Sequence, residues 1–172
     1  HSADYSVYPK NIGDNGYTLS ADEKLLTLNF TVQNPGSSNR LVRYDQLLIS
    51  AVDSAGRVFA QKQAWGFIEN KAAMADVLSP GKKVSLYCVI SVPAKGEPKN
   101  ILVKSNRTED GPELVYDVSG HVPPLTAPFV DASDPTGATA LEEIPADLQT
   151  AYPCRNFTIK VNRMEYSTSN IG

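Results

Sequence analysis

The sequence is poor in the residues that usually carry metal or acid–base chemistry. Its 172 residues include two cysteines, two histidines and one tryptophan. The cysteines match neither a zinc-ligand spacing nor a CxxC redox motif, and no GxSxG motif or comparable nucleophile pattern accompanies the histidines. We therefore expect no cofactor, no metal site and no catalytic residue.

Long apolar runs and an excess of positive charge are also lacking. No apolar run approaches the roughly 18 residues that a membrane-spanning helix needs, so no transmembrane segment is predicted. The net charge is −3 and the pI about 5.4. No basic field would attract nucleic acid or an anionic membrane.

Period-two alternation of apolar and polar residues is present where helical periodicity is absent. In Lys24–Gln33, every second residue from Leu26 onward is apolar, which is typical of a half-buried antiparallel strand. Lys83–Val92 repeats the pattern and places Cys88 on its apolar face. The other predicted strands are Asp45–Asp53, Arg57–Gln63, Asn100–Lys104, Glu113–Val118 and Asn156–Tyr166. A helical turn is expected only within Asn70–Val77.

Short strands without regular helices predict an all-β fold, an antiparallel β-sandwich of two sheets. We expect the sandwich to occupy residues 1–120. Residues 121–150 contain five prolines, five acidic residues and no Lys or Arg, so they are predicted to form a linker or a strap across the surface. Residues 151–172 are predicted to hold a final strand.

The two ends of the chain resemble each other. Asp4–Gly13 reads DYSVYPKNIG, and Glu165–Gly172 reads EYSTSNIG. The likeness is short enough to arise by chance. It would otherwise indicate a tandem array in which residues 151–172 open a second repeat. A third interpretation is that the final strand returns to complete the first sandwich.

Four phrases in Leu25–Val118 resemble a family of bacterial extracytoplasmic immunoglobulin-like domains of unknown function. This family occurs in exported proteins and lipoproteins and is similar to a secreted mycobacterial antigen. The phrases are LTLNFTVQNPGSS (Leu26–Ser38), LLISAVDSAGRVF (Leu47–Phe59), LSPGKKVSLYCVISVP (Leu78–Pro93) and NILVKS (Asn100–Ser105). The resemblance implies an immunoglobulin-like sandwich and an extracytoplasmic location, and it carries over no catalytic residue.

A non-catalytic binding or structural module of the bacterial cell envelope is the function we expect. Its partner would be an envelope protein or carbohydrate. One alternative is an assembly module, a homo-oligomer formed through the Asn156–Tyr166 strand by strand addition or swapping. A hydrolase of envelope polymers is the least expected alternative. The first residues, HSADYSVYPK, lack the apolar core of a signal peptide, and we expect an export signal or anchor to have been removed.

Two pairs of residues are candidates for special roles. Trp65 and Phe67, beside Gly66, could contact a ligand or partner, although tryptophan more often packs into a core. Cys88 is expected to be an inert, buried thiol. In an oxidising compartment it could instead form a disulfide with Cys154.

Overall fold

The chain is built from β-strands. The computed structural model describes residues 2–7, 10–12, 15–17, 19–20, 22–43, 45–69, 75–105, 113–154 and 157–164, with the backbone alone for 10–12, 15–17, 61–65 and 153–154. Within these ranges the strands are β1 (Ser2–Ser6), β2 (Lys10–Ile12), β3 (Asn15–Tyr17), β4 (Glu23–Gln33), β5 (Arg40–Arg43), β6 (Leu47–Asp53), β7 (Val58–Phe67), β8 (Ala75–Leu78), β9 (Lys83–Pro93), β10 (Pro98–Ser105), β11 (Leu114–Asp117), β12 (Ala151–Cys154) and β13 (Phe157–Lys160). In this part of the chain, no helix has the length and apolar character that a bilayer crossing requires.

Seven strands form one antiparallel sheet in the order β1-β4-β9-β7-β6-β10-β11. Strand β7 serves both halves of this sheet. Its first residues pair with β6 (Val58 opposite Val52), and its last residues pair with β9 (Phe67 opposite Leu86). Pairing with β6 ends at Ala60 and pairing with β9 begins at Gln61, and the register against β9 is irregular between Gln61 and Trp65.

The two halves of the sheet share one hydrophobic core. Leu26 of β4 and Leu86 of β9 are buried together with Ile49 of β6 and Ile101 of β10. Residues from both halves can pack in one cluster only if the halves face each other. The structure is therefore an antiparallel β-sandwich, which confirms the predicted all-β, two-layer fold.

The alternation predicted for the central strands is confirmed. Leu26, Leu28 and Phe30 all contribute to the shared core, whereas Thr31 and Gln33 are exposed. Burial extends further than alternation alone predicts. On the opposite face, Leu25, Tyr87 and Val89 form a second buried cluster, against which Leu19 packs.

The Pro-rich segment predicted for residues 121–150 packs against the sandwich. Leu125 and Ala140 form a buried cluster with Ala94, which follows β9. The Ala140 N–H donates a 2.8 Å hydrogen bond to the Ala94 carbonyl, and Val130 and Ala140 form an isolated β-bridge. We call residues 121–150 the strap, because they are held along the end of the sandwich.

The final strands β12 and β13 form a separate two-stranded hairpin. The Gln149 N–H donates to the Val161 carbonyl at 2.8 Å and continues this pairing. Within the strand predicted over Asn156–Tyr166, β13 ends at Lys160. Residue 156 and residues 165–166 lie outside the described part of the chain. The assignment of residues 151–172 to this domain or to a second repeat stays a prediction.

The prediction of a helical turn within Asn70–Val77 is wrong for the residues of that range that the structure describes. Ala75–Leu78 is strand β8, which pairs with β5, and residues 70–74 lie outside the described part. Each of these strands has four residues, too few for a clear period. The pairing partner therefore decides the conformation.

Candidate functional site

An open groove of about 520 Å³ lies between the two layers. Ser2 and Ala3 of β1 and Leu114 and Tyr116 of β11 line it. These strands are the two outer strands of the seven-stranded sheet. The sandwich is thus open along the side where its sheet begins and ends. We call this feature the inter-sheet groove.

Apolar side chains form both walls of the inter-sheet groove. One wall is Leu28, Phe30 and Val32, which project from the same face of β4 because they occupy alternate positions. The opposite wall consists of Leu47, Ile49, Ile101, Val103, Leu114 and Tyr116. The groove is therefore the outer end of the hydrophobic core, left accessible between the layers.

The rim of the inter-sheet groove at β11 carries exposed apolar side chains. Leu114, Val115 and Tyr116 retain 52%, 59% and 51% of their accessible surface. Within the described ranges no strand pairs with the outer side of β11. Three exposed apolar residues and an unpaired backbone edge together invite pairing with another strand.

Polar groups gather at one end of the groove. His121 and Asp117 both line it. Hydrogen bonds from Ser119 lower the pKa of Asp117, and charges on Lys99 and His121 act in the same direction. In the described part of the chain, no hydrogen bond joins the His121 ring to a hydroxyl or thiol.

Cys88 lies in the core and has no access to solvent. Burial raises the pKa of its thiol to about 12, so the reactive thiolate is suppressed near neutral pH. Cys88 is a free cysteine in this structure. The side chain of Cys154 lies outside the described residues, and a disulfide between the two stays a prediction.

The structure describes the side chain of one of the two proposed aromatic contact residues. Phe67 packs against the core, and the side chain of Trp65 lies outside the described residues. Gly66 between them has a structural role. A Cβ added there would lie 2.5 Å from Cε1 of the Tyr87 ring. A ligand contact by Trp65 and Phe67 stays a prediction.

The burial of one lysine was not predicted from the sequence. Lys24 is fully buried, and its Nζ donates hydrogen bonds to the carbonyls of Ala94 (3.3 Å), Gly96 (2.5 Å) and Ala138. It also lies 4.5 Å from the centre of the Tyr5 ring. Burial lowers the pKa of Lys24 to about 8, against the opposing effect of Asp134 and Glu97.

A sequence signal for this lysine exists. Lys24 occupies an alternate position of β4 together with Leu26, Leu28 and Phe30, so its side chain lies on the same inward face of the strand. Its ammonium group links the sandwich to the Ala138 carbonyl of the strap. Among the described residues, no group of three or more His, Cys, Asp and Glu side chains could hold a metal ion.

Comparisons with known proteins give a distant structural likeness. No family model and no curated protein sequence matches this chain. An uncharacterized β-sandwich protein from Clostridium difficile 630 aligns with a TM-score of 0.43 and 13% sequence identity, over 67% of this chain and 76% of that protein. At this distance the likeness carries no information about a ligand or an activity.

Proposed function

We propose that this protein is a non-catalytic binding module of the bacterial cell envelope. Its binding surface is the inter-sheet groove together with the outer edge of β11, and its ligand is an extended, apolar segment of polypeptide. The observation that carries this proposal is the open groove of about 520 Å³ flanked by exposed Leu114 and Tyr116.

The outer backbone edge of β11, which no described strand pairs with, favours a polypeptide ligand over a lipid or a carbohydrate. A peptide added beside β11 can form ladder hydrogen bonds and place every second side chain in the groove. A lipid would fill the groove but leave the backbone edge unpaired. An alternating apolar strand satisfies both surfaces at once.

Two parts of this proposal rest on the sequence. They are export from the cytoplasm and membership of the immunoglobulin-like family. Their support is the resemblance carried by the four phrases within Leu25–Val118. An extracytoplasmic module needs no catalytic residue to act as a binding surface. Because the outer backbone edge of β11 can form ladder hydrogen bonds with a polypeptide, an envelope protein is the partner class that we favour over an envelope carbohydrate.

Synthetic ten-residue peptides test the proposal. One set alternates apolar and polar residues, and the other set contains the same residues in scrambled order. Fluorescence polarisation with the full chain should show that the alternating peptides bind more tightly. Leu114→Asp should weaken that binding about tenfold, because it places a charge at the apolar rim.

Leu48→Asp is the matched control. Leu48 is 40% exposed on β6 and does not line the groove, so its substitution should leave peptide binding unchanged. Equal binding of alternating and scrambled peptides would overturn the proposal. So would an effect of Leu48→Asp as large as that of Leu114→Asp.

A further inference from the structure

The C-terminal hairpin carries an apolar face that the described sandwich does not cover. Phe157, Ile159 and Val161 are 74%, 49% and 48% exposed. They occupy alternate positions and therefore lie on one face of the extended chain. Strand β13 pairs with β12 alone among the described strands, so its other backbone edge has no ladder partner there.

This apolar face matches the groove in length. Phe157 to Val161 spans four residue steps, or about 13 Å in a strand. Leu28 to Val32, which form the β4 wall of the groove, span the same four steps. Three apolar side chains on one surface can thus lie along three on the other.

Charge also favours this match. Strand β11 is bounded by Glu113 and Asp117, whereas β13 ends at Lys160. If the two strands pair antiparallel, as all paired strands of the seven-stranded sheet do, one register suits both faces. Phe157 and Ile159 then lie opposite Tyr116 and Leu114 on the groove side, and Lys160 lies opposite Glu113.

We propose that the C-terminal hairpin of one copy of this chain adds to the β11 edge of a second copy. Phe157 and Ile159 then cover the inter-sheet groove, and Lys160 pairs with Glu113. This inference rests on the proposed function, since it names the segment that occupies the same binding surface.

A second copy is favoured because the chain's own hairpin leaves its apolar face exposed in this structure. The strap between β11 and β12 is attached to the sandwich through Leu125, Ala138 and Ala140. Addition in trans leaves these attachments in place. It produces either a reciprocal two-fold dimer or a head-to-tail chain of copies.

Sedimentation velocity of the full chain tests the inference over a concentration range. A short strand addition buries less surface than a standard interface and forms a weak complex. We therefore expect the associated fraction of the chain to increase as the protein concentration is raised from about 1 μM to about 500 μM. Phe157→Ser and Lys160→Glu should each raise the apparent dissociation constant about tenfold or more.

A charge exchange makes the test specific. A mixture of the Lys160→Glu and Glu113→Lys variants should associate more tightly than Lys160→Glu alone, because opposite charges again face each other. Lys82→Glu is the control. Lys82 is an exposed lysine in the turn before β9 that does not line the groove, and its variant should associate like the unmodified chain.

A chain that stays monomeric throughout the concentration range would overturn the inference. So would association that Phe157→Ser leaves unchanged, or a charge exchange that restores nothing. The alternating peptides distinguish this failure from failure of the proposed function. If the Phe157→Ser chain binds those peptides while the unmodified chain stays monomeric, only the identity of the occupant is wrong. If the Phe157→Ser chain binds no peptide and the unmodified chain stays monomeric, both proposals are wrong.

Discussion

At the residue scale, the environment of Lys24 explains how a cation can be fully buried. Three backbone carbonyls accept its N–H groups, and the face of the Tyr5 ring lies 4.5 Å away. These contacts replace the hydration that the ammonium group loses on folding. They replace it incompletely, because burial still lowers the pKa of Lys24 to about 8.

Gly66 supports a prediction about packing. Gly66→Ala should lower the free energy of unfolding by about 2 kcal/mol, since the new methyl group would overlap the Tyr87 ring and force the core to shift. Urea denaturation measures this loss. Gly36→Ala is the control, because its methyl group would meet the flexible end of the Arg40 side chain at 3.1 Å.

A loss for Gly66→Ala no larger than that for Gly36→Ala would contradict the close approach of the ring. The same result would favour the interpretation that Gly66 permits a ligand to approach Trp65 and Phe67 closely. If Gly66→Ala is destabilised as expected, the glycine is explained by the Tyr87 contact alone.

At the element scale, the strap depends on a turn centred on Asp134. One carboxylate oxygen accepts hydrogen bonds from the Thr136 N–H and hydroxyl (2.9 and 2.8 Å), and the other accepts the Thr139 N–H at 2.9 Å. Hydrogen bonds from Thr139 and Thr136 hold the pKa of Asp134 well below its usual range. The turn presents the Ala138 carbonyl to Lys24.

Asp134→Asn should therefore loosen the strap. An amide has one acceptor oxygen where the carboxylate has two, so at least one of these hydrogen bonds is lost. We expect the free energy of unfolding to fall by about 1–2 kcal/mol, with faster amide hydrogen exchange in residues 134–140. Glu143→Gln, an exposed change on the same strap, is the control. Equal exchange in the two variants would contradict this role of Asp134.

Acid should act on the same turn. A carboxylate whose pKa is lower in the folded chain than in the unfolded chain contributes stability above its unfolded pKa. For Asp134 that contribution is present above the ordinary value of 3.8 and is lost as the pH falls below it. After correction for the intrinsic pH dependence of exchange, the protection of the amides in residues 134–140 should therefore decrease at low pH in the unmodified chain.

At the scale of the whole molecule, Lys24 should make stability depend on pH. The lysine titrates near 10.5 in the unfolded chain and near 8 in the folded chain. Between these values the unfolded chain binds more protons, so the free energy of unfolding rises with pH. The slope is at most about 1.4 kcal/mol per pH unit. Urea denaturation from pH 7.5 to about 8.5 measures this rise. It stays below the range in which ionisation of Cys88 in the unfolded chain, near 9.0, would lower the free energy of unfolding.

Lys24→Met should lack this rise, because it has no group that titrates at the same position. An equal slope in Lys24→Met and in the unmodified chain would show that another group causes the dependence. The side-chain NMR shifts of Lys24 in the unmodified chain give an independent measurement if the variant does not fold. A pKa near 10.5 for Lys24 would contradict its burial against the carbonyls.

The order of the strands in the seven-stranded sheet explains why the sandwich has a groove. Its seven strands leave β1 and β11 as outer strands, and apolar residues of both layers line the opening between them. An open side of this kind exposes core residues to solvent unless another segment covers them. Both proposals start from this single property of the sheet order.

The sequence by itself determined the strands with long, clean alternation. Lys24–Gln33 and Lys83–Val92 were predicted to within about a residue of β4 and β9, because a period of two is a local property of the chain. Residues 121–150 stand out in the sequence because their five prolines and their lack of Lys and Arg are local features. Strands β5 and β8 were not predicted, and their pairing with each other decides their conformation.

Only the tertiary structure decided what these elements form together. The outer position of β11, the groove beside it and the exposed face of the hairpin follow from pairing between distant strands. The burial of Lys24 is the clearest case. Its inward parity could be read from the sequence, but the Ala138 carbonyl that it binds comes from a strap 114 residues away. Contacts across such separations depend on how the chain closes in space, and a local pattern of residues does not encode that closure.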